Sequence, residues 1–214
     1  MSRLRFKISM SLDGFVAGPS QDLENPLGVG GERLHEWVVP LAVWRVGHGL
    51  DGGEVNASTP VVEESTVNIG ATVMGRNMFG GYPGAWNTNQ PWTGWWGDNP
   101  PFHHPVFVLT RYPRASFAME GGTTFNFVTE GIEAALEQAR RAAGAQDVSL
   151  AGGANAAQQY LQAGLVDEME INLVPILLGS GERLFDRLGD DLHGLELVRT
   201  VATPQVVHLK LTRT

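Results

Sequence analysis

Asp147-Val-Ser-Leu-Ala-Gly-Gly-Ala-Asn-Ala-Ala-Gln-Gln-Tyr-Leu-Gln-Ala-Gly164 is the stretch on which the fold class turns. Its first five residues read as a buried strand, Asp147–Ala151, running straight into Gly152-Gly153. Ala154 to Ala163 reads as a helix, with Gly164 placed to stop it. A strand that feeds a helix through paired glycines is the local unit of an α/β sheet, and ligands of such sheets sit at the carboxyl ends of the strands. Without Cβ atoms at the junction, a diphosphate has room to rest on the backbone N–H groups and the positive helix end. Taken alone, a Gly-Gly pair at a strand end is more often an ordinary tight turn.

Working outward, the same alternation recurs. Upstream, Thr124–Val128 reads as a strand and Thr129 as the cap of a helix whose Ile132, Ala135, Leu136, Ala139 and Ala143 share one face. Before it, Pro105–Leu109 is a buried strand closed by Thr110-Arg111, and Ala71–Met74 is another ending in Gly75-Arg76. Thr59 caps, and Pro60 opens, a helix that continues from Val61 to Ile69 and stops at Gly70. Leu4–Met10 alternates as a first strand and turns at Asp13-Gly14. Downstream, Asp167–Pro175 alternates Met169, Ile171 and Leu173 against Glu168, Glu170 and Asn172, and strands follow around Leu195–Val201 and Val206–Thr212. Strands alternating with helices, then consecutive strands, predict a mainly parallel sheet with an antiparallel edge and helices on both faces. Residues 19–58 hold one helix-like piece, Glu32–Trp37, in an otherwise irregular excursion. Residues 79–105 read as a Trp-, Pro- and Gly-rich loop insertion. With no repeat and no linker, residues 1–214 make a single domain.

The composition narrows the function. A net charge of −8 argues against a nucleic-acid surface. The absence of cysteine excludes disulfides, thiolate metal ligands and a thiol nucleophile, and suits a reducing cytoplasm. No apolar run approaches the ~18 residues of a membrane helix. No Walker-type Gly-Lys-Ser/Thr is present, and Gly28-Val-Gly30-Gly31 lacks the preceding strand of a dinucleotide fingerprint. His103 and His104 are neighbours on extended chain and point apart, which argues against a shared metal ion and for solvent-facing loop histidines. Glu63 and Glu64 sit early on their helix, where carboxylates favour the dipole. Trp86, Trp92, Trp95 and Trp96 read first as anchors of their loop, with a pocket roof or a dimer seam as the alternatives.

Three strand ends carry phosphate-suited residues: Gly75-Arg76-Asn77, Thr110-Arg111 and Gly152-Gly153-Ala154-Asn155. A glycine admits the phosphate to the backbone and an arginine offers a bidentate, permanent charge. Asp13, just past the first strand, is the candidate polar group beside a reacting proton, or simply an Asp-Gly turn.

The order of these motifs resembles the dihydrofolate-reductase superfamily. Ser11-Leu-Asp13-Gly14-Phe-Val-Ala17-Gly18, Val73-Met-Gly75-Arg76, Val106-Phe-Val-Leu-Thr110-Arg111, Leu150-Ala-Gly152-Gly153-Ala154-Asn155 and Val174-Pro175-Ile-Leu-Leu-Gly179-Ser-Gly181 carry it across nearly the whole chain. The nearest branch is that of the reductase domain of the riboflavin-biosynthesis deaminase-reductase and its stand-alone relatives. The resemblance implies an eight-stranded sheet with NADPH across the strand ends. It puts Gly75, Arg76 and Asn77 near the phosphates, and Thr110 and Arg111 at the adenosine 2′-phosphate. Gly152, Gly153, Ala154 and Asn155 would hold the pyrophosphate, with Gln158 one helical turn on, and Ala17 and Gly18 would lie near the nicotinamide. A homodimer is implied as well. On the substrate side the chain departs from the branch. Ala151 stands where Glu precedes the glycine pair, Phe15 where Lys or Arg follows Asp-Gly, and Phe79–Trp86 has no cation to grip a ribose phosphate. The expectation is an NADPH-dependent reductase that transfers a hydride to a small molecule, with heteroaromatic substrates in scope. The phosphoribosylaminouracil reductase of riboflavin biosynthesis and a non-catalytic nucleotide-binding relative stand as the alternatives.

Overall fold

A computed structural model describes residues 2–81, 84–87, 89, 91–186, 188–189, 192 and 194–213. A nine-stranded sheet forms its middle layer. In chain order the strands and helices are β1 (Leu4–Ser11), β2 (Phe15–Ala17), α1 (Ala42–Gly47), α2 (Thr59–Thr66), β3 (Ile69–Gly75), α3 (Arg76–Phe79), β4 (Pro105–Leu109) and β5 (Phe117–Ala118). They continue as β6 (Thr124–Val128), α4 (Ile132–Ala143), β7 (Asp147–Gly152), α5 (Ala154–Gln162), β8 (Glu168–Val174), β9 (Glu182–Arg183), β10 (Leu195–Ala202) and β11 (Val207–Arg213). The order across the sheet is β10-β11-β8-β1-β7-β3-β4-β6-β5. Pairing is parallel from β8 to β6 and antiparallel at both edges. The sheet thus has one strand more than the eight implied by the resemblance, because the short β5 pairs beside β6. A separate ribbon joins β2 to β9.

On one face, Leu4, Phe6, Val73, Val148, Leu150, Met169 and Ile171 pack under α4 and α5 through Ala135, Leu136, Ala139, Ala157 and Tyr160. The opposite face is closed by two smaller clusters. Leu34, Trp37, Leu41 and Val62 lie beneath the 19–58 excursion and α2. Met74, Phe79, Val106, Val108 and Phe125 lie beneath the 79–105 loop, with Trp86, Trp92 and Trp96 packed against them. The loop is therefore held on by aromatic edge-to-face contacts such as Trp86 on Phe127, 5.0 Å between centroids. Tyr82, Pro83, Thr88 and Gln90 of this loop fall outside the described residues.

Alternation along β8 separates two buried environments. Glu168, Glu170 and Asn172 are as covered as Met169 and Ile171, since β8 lies inside the sheet. Burial of those charges requires partners. Arg5 Nε and Lys210 Nζ donate to Glu168 at 3.0 and 3.2 Å, and Arg199 donates to Glu170 at 3.2 Å.

Three boundaries differ from expectation. Thr59 is the first helical residue rather than the cap, and α2 ends at Thr66. Gly70 does not stop that helix; it lies in β3, where a Cβ would come within 2.9 Å of Ala143 Cα and O at the end of α4. Thr129 does not cap α4. Gly131 occupies that position, and Thr129 donates its N–H to Glu130 instead. Within the excursion, Glu32–Trp37 is only a 3₁₀ turn over Gly31–Leu34, and α1 follows it.

Candidate functional site

The carboxyl ends of β1, β3, β4, β6 and β7 open into one cleft of about 1230 Å³. β7 sits between β1 and β3 while the chain departs from β1 in both directions, which is where an open sheet leaves room for a ligand.

At one end the walls are glycine backbone and cations. Gly75, Arg76 and Asn77 after β3, Thr110 and Arg111 after β4, and Gly152, Gly153, Ala154 and Asn155 between β7 and α5 all line it. Gly152 has φ +116°, open to glycine alone at low cost, and the Gly152–Gly153 peptide is cis. A Cβ on Gly153 would meet nothing within 4 Å, so its hydrogens face open space. Gly153 is also the N-cap of α5 and no side chain caps that helix, which leaves first-turn N–H groups and the positive dipole end for the cleft. Gly75 has a packing reason too, as its Cβ would press to 3.2 Å on Ala156 of α5. Arg111 is exposed and makes no ion pair or hydrogen bond among the described residues. Thr110 Oγ1 accepts the Tyr112 N–H at 3.1 Å. Arg76 lays its guanidinium 3.8 Å above the Trp86 ring centroid, with Arg114 4.9 Å from the same ring. Burial, then the Arg114 charge, lowers the Arg76 pKa. Uncapped N–H groups, a Cβ-free approach and nearby cations fit a diphosphate-bearing nucleotide.

Ala17 also borders the cleft, whereas Gly18, Asp13 and Gln158 do not. Gly18 is packed backbone to backbone: its N–H donates to Leu27 O at 2.8 Å, and a Cβ would strike Val29. Gln158 Nε2 donates to Arg183 O at 2.8 Å. The Asp13 carboxylate accepts the Ser11 hydroxyl at 2.6 Å and the Leu178 and Gly179 N–H groups at 3.2 and 2.7 Å. Those bonds, the Ser11 hydroxyl foremost, hold its pKa at about 2. It ties the end of β1 to the loop after β8.

The other end of the cleft was not singled out from sequence. Lys7, Ser9, His35, Trp37, Trp44 and Asn172 line it. Lys7 Nζ donates to Ser65 Oγ at 2.7 Å, and Lys7 is in register with Glu170 on β8. Burial lowers the Lys7 pKa against the opposing pull of Glu170. Burial likewise raises Glu170 and lowers His35, the latter aided by the charge of Lys7. The only signal available was a lysine on the polar face of the first strand, between Phe6 and Ile8 and two residues before Ser9. The two loop histidines diverge: His103 Nδ1 bonds Gly121 O at 2.9 Å, while His104, half-buried rather than solvent-facing, bonds Thr72 Oγ1 at 2.8 Å.

Similar solved structures share this architecture. A candidate riboflavin biosynthesis protein from Shewanella sp. PV-4 is 20% identical with a TM-score of 0.59, over 100% of this chain and 99% of that one. The RibD protein of Acinetobacter baumannii gives 19% and 0.60 over 100% of this chain and 58% of its own. The Thermotoga maritima diaminohydroxyphosphoribosylaminopyrimidine deaminase/5-amino-6-(5-phosphoribosylamino)uracil reductase gives 12% and 0.55, over 100% and 57%. This chain therefore spans a little over half the length of the latter two. No match is found among curated proteins. The RibD C-terminal domain family matches residues 3–209. With that match over almost its full length, and a sheet and cleft of the corresponding architecture, the chain belongs to the RibD C-terminal domain family of reductases.

Proposed function

We propose that the domain is an NADPH-dependent reductase of a small molecule, with the nucleotide along the glycine end of the cleft and the substrate beside Lys7. The observation that carries this reading is that one continuous cleft joins a Cβ-free, cation-bordered helix end to a lysine at its far end. Gly152, Gly153 and the first turn of α5 would hold the diphosphate, with Gly75, Arg76 and Asn77 alongside it. Arg111 and Thr110 would meet the 2′-phosphate, which favours NADPH over NADH. When bound, a dihydronicotinamide supplies a hydride, so the protein needs only to orient the two molecules and move one proton. Lys7 is the group suited to deliver that proton, because its ammonium faces the cleft. Asp13 is ionised at neutral pH with its oxygens already hydrogen-bonded, and acts as a brace for the loop. We further infer a cytoplasmic homodimer, supported by the lack of cysteine and by Leu197 and Val198 exposed on the edge strand β10. Among the described residues no helix is long and apolar enough to cross a membrane.

Titration of the protein with each nucleotide tests the reading through nicotinamide fluorescence. NADPH is expected to bind more tightly than NADH, and Arg111→Ala to weaken NADPH by about tenfold while leaving NADH nearly unchanged. Absence of binding by either nucleotide to folded protein overturns the assignment.

A further inference from the structure

Resting on that nucleotide reading, the far end of the cleft carries information about what is reduced. Three Lys or Arg residues border the cleft among the described residues, namely Lys7, Arg76 and Arg111. The two arginines follow β3 and β4, beside the glycine cradle, so Lys7 is the one strong cation left at the other end. A sugar phosphate held there would have a single lysine, already donating to Ser65 and adjoining Glu170.

What the floor offers instead is a row of hydrogen-bond donors. Ser9, Asn172 and His208 are aligned across β1, β8 and β11. His208 is 1% exposed, and burial depresses its pKa to about 4, so it is neutral at physiological pH. Its Nδ1 donates to Asn172 Oδ1 at 2.7 Å and its Nε2 accepts the Ser58 hydroxyl at 2.8 Å. That relay spends the amide oxygen and leaves Nδ2–H to the cleft that Asn172 borders. Ser9 Oγ accepts the Trp37 indole N–H at 3.2 Å, which leaves its own hydrogen to donate. With the Lys7 ammonium, Ser9 and Asn172 each have a hydrogen to give, while His208 lies behind them and orients the amide. The walls are mostly flat rings: Trp37, itself fixed edge-on against His208 at 5.1 Å, Trp44 and the half-buried His35, with Val62 beside them.

We infer that the substrate is a flat, unphosphorylated, conjugated carbonyl compound with two acceptor atoms on one edge, held by Ser9 and Asn172 and protonated by Lys7. In the reaction the carbonyl carbon gains a hydride and its π pair moves to oxygen. That oxygen takes a proton from Lys7, the dihydronicotinamide becomes the oxidised nicotinamide, and water reprotonates the lysine.

Isatin and 9,10-phenanthrenequinone are the probes, with 5-amino-6-(5-phosphoribosylamino)uracil as comparator. Two readouts are taken: NADPH oxidation, and calorimetric binding of isatin to the NADP⁺-loaded protein. Both diketones are expected to be reduced and the phosphoribosyl compound not. Asn172→Asp, which replaces a donor by an acceptor, should weaken isatin at least about tenfold with NADPH affinity unchanged. Ser9→Ala should weaken it severalfold, and serves where Asn172→Asp fails to fold. Turnover of the phosphoribosyl compound alone, or no diketone binding by protein that binds NADPH, overturns the proposal and leaves the nucleotide reading standing. Isatin binding unaffected by both variants overturns the donor row. Failure of NADPH itself to bind removes the foundation and is seen before any diketone is added.

Discussion

Desolvation by the surrounding protein, opposed by the Glu170 charge, moves the Lys7 pKa below the ordinary lysine value. The acid form is the useful one, so turnover should fall as pH rises through that lowered pKa, at a pH below the ~10.4 of a free lysine. Lys7→Met is expected to cut kcat by roughly 100-fold or more with NADPH binding intact. Lys7→Arg should remove the alkaline limb, because a guanidinium does not titrate there. A pH–rate profile of the three proteins checks this. His208 makes an opposite kind of prediction. Its folded pKa of about 4 lies below the ~6.5 of an unfolded imidazole, so the unfolded chain binds more protons between these values. Stability should therefore fall as pH drops from about 6.5 to about 4, by roughly 3 kcal/mol from this one residue. Urea midpoints across that window should flatten in His208→Gln. Neither residue stood out in the sequence. A lone lysine in an alternating strand reads as a solvated position, and His208 acquires meaning only through Asn172 and Ser58, which lie far from it in the chain.

The elements that were legible carry an unbroken apolar rhythm. β4, β6, α4, β7 and α5 fall within a residue or two of their expected bounds, because each buries one clear stripe or run. α1 has no buried residue, hence no stripe to read. Gly70 shows a different limit, since a glycine punctuates a helix and also admits a close neighbour, and only packing tells which. Here the close approach of α4 decides it, and Gly70→Ala should cost about 1–3 kcal/mol, seen as a lowered thermal midpoint. The glycine-lined end of the cleft was visible for a related reason. Its glycines and arginines sit beside one another in sequence at strand ends, so the local pattern survives without the fold. The donor row is assembled from β1, β8 and β11, and such juxtaposition leaves no local trace.

At the scale of the molecule, both ends of the cleft are fastened to the same central strands, so on the proposed reading a nucleotide bound there would brace β7 and α5 against β3. Saturation at ~100 times the dissociation constant should add about 2.7 kcal/mol to the stability of the fold. Differential scanning fluorimetry should register this as a rise of several degrees with NADPH and a smaller one with equimolar NADH. The class of fold and the place of the cleft were readable from alternation and strand ends, whereas the extra strand and the covered polar face of β8 required the sheet order. That order has a kinetic corollary. β7 slots between β1 and β3, although β3, β4 and β6 all precede it in the chain. During synthesis, β1 and β3 present open, largely apolar edges until residues 147–152 emerge from the ribosome to bridge them. A nascent chain shorter than that holds one sticky half-sheet, β3-β4-β6-β5, and a lone β1 whose sheet neighbours are still unmade, and its safe passage depends on whatever shields those edges meanwhile.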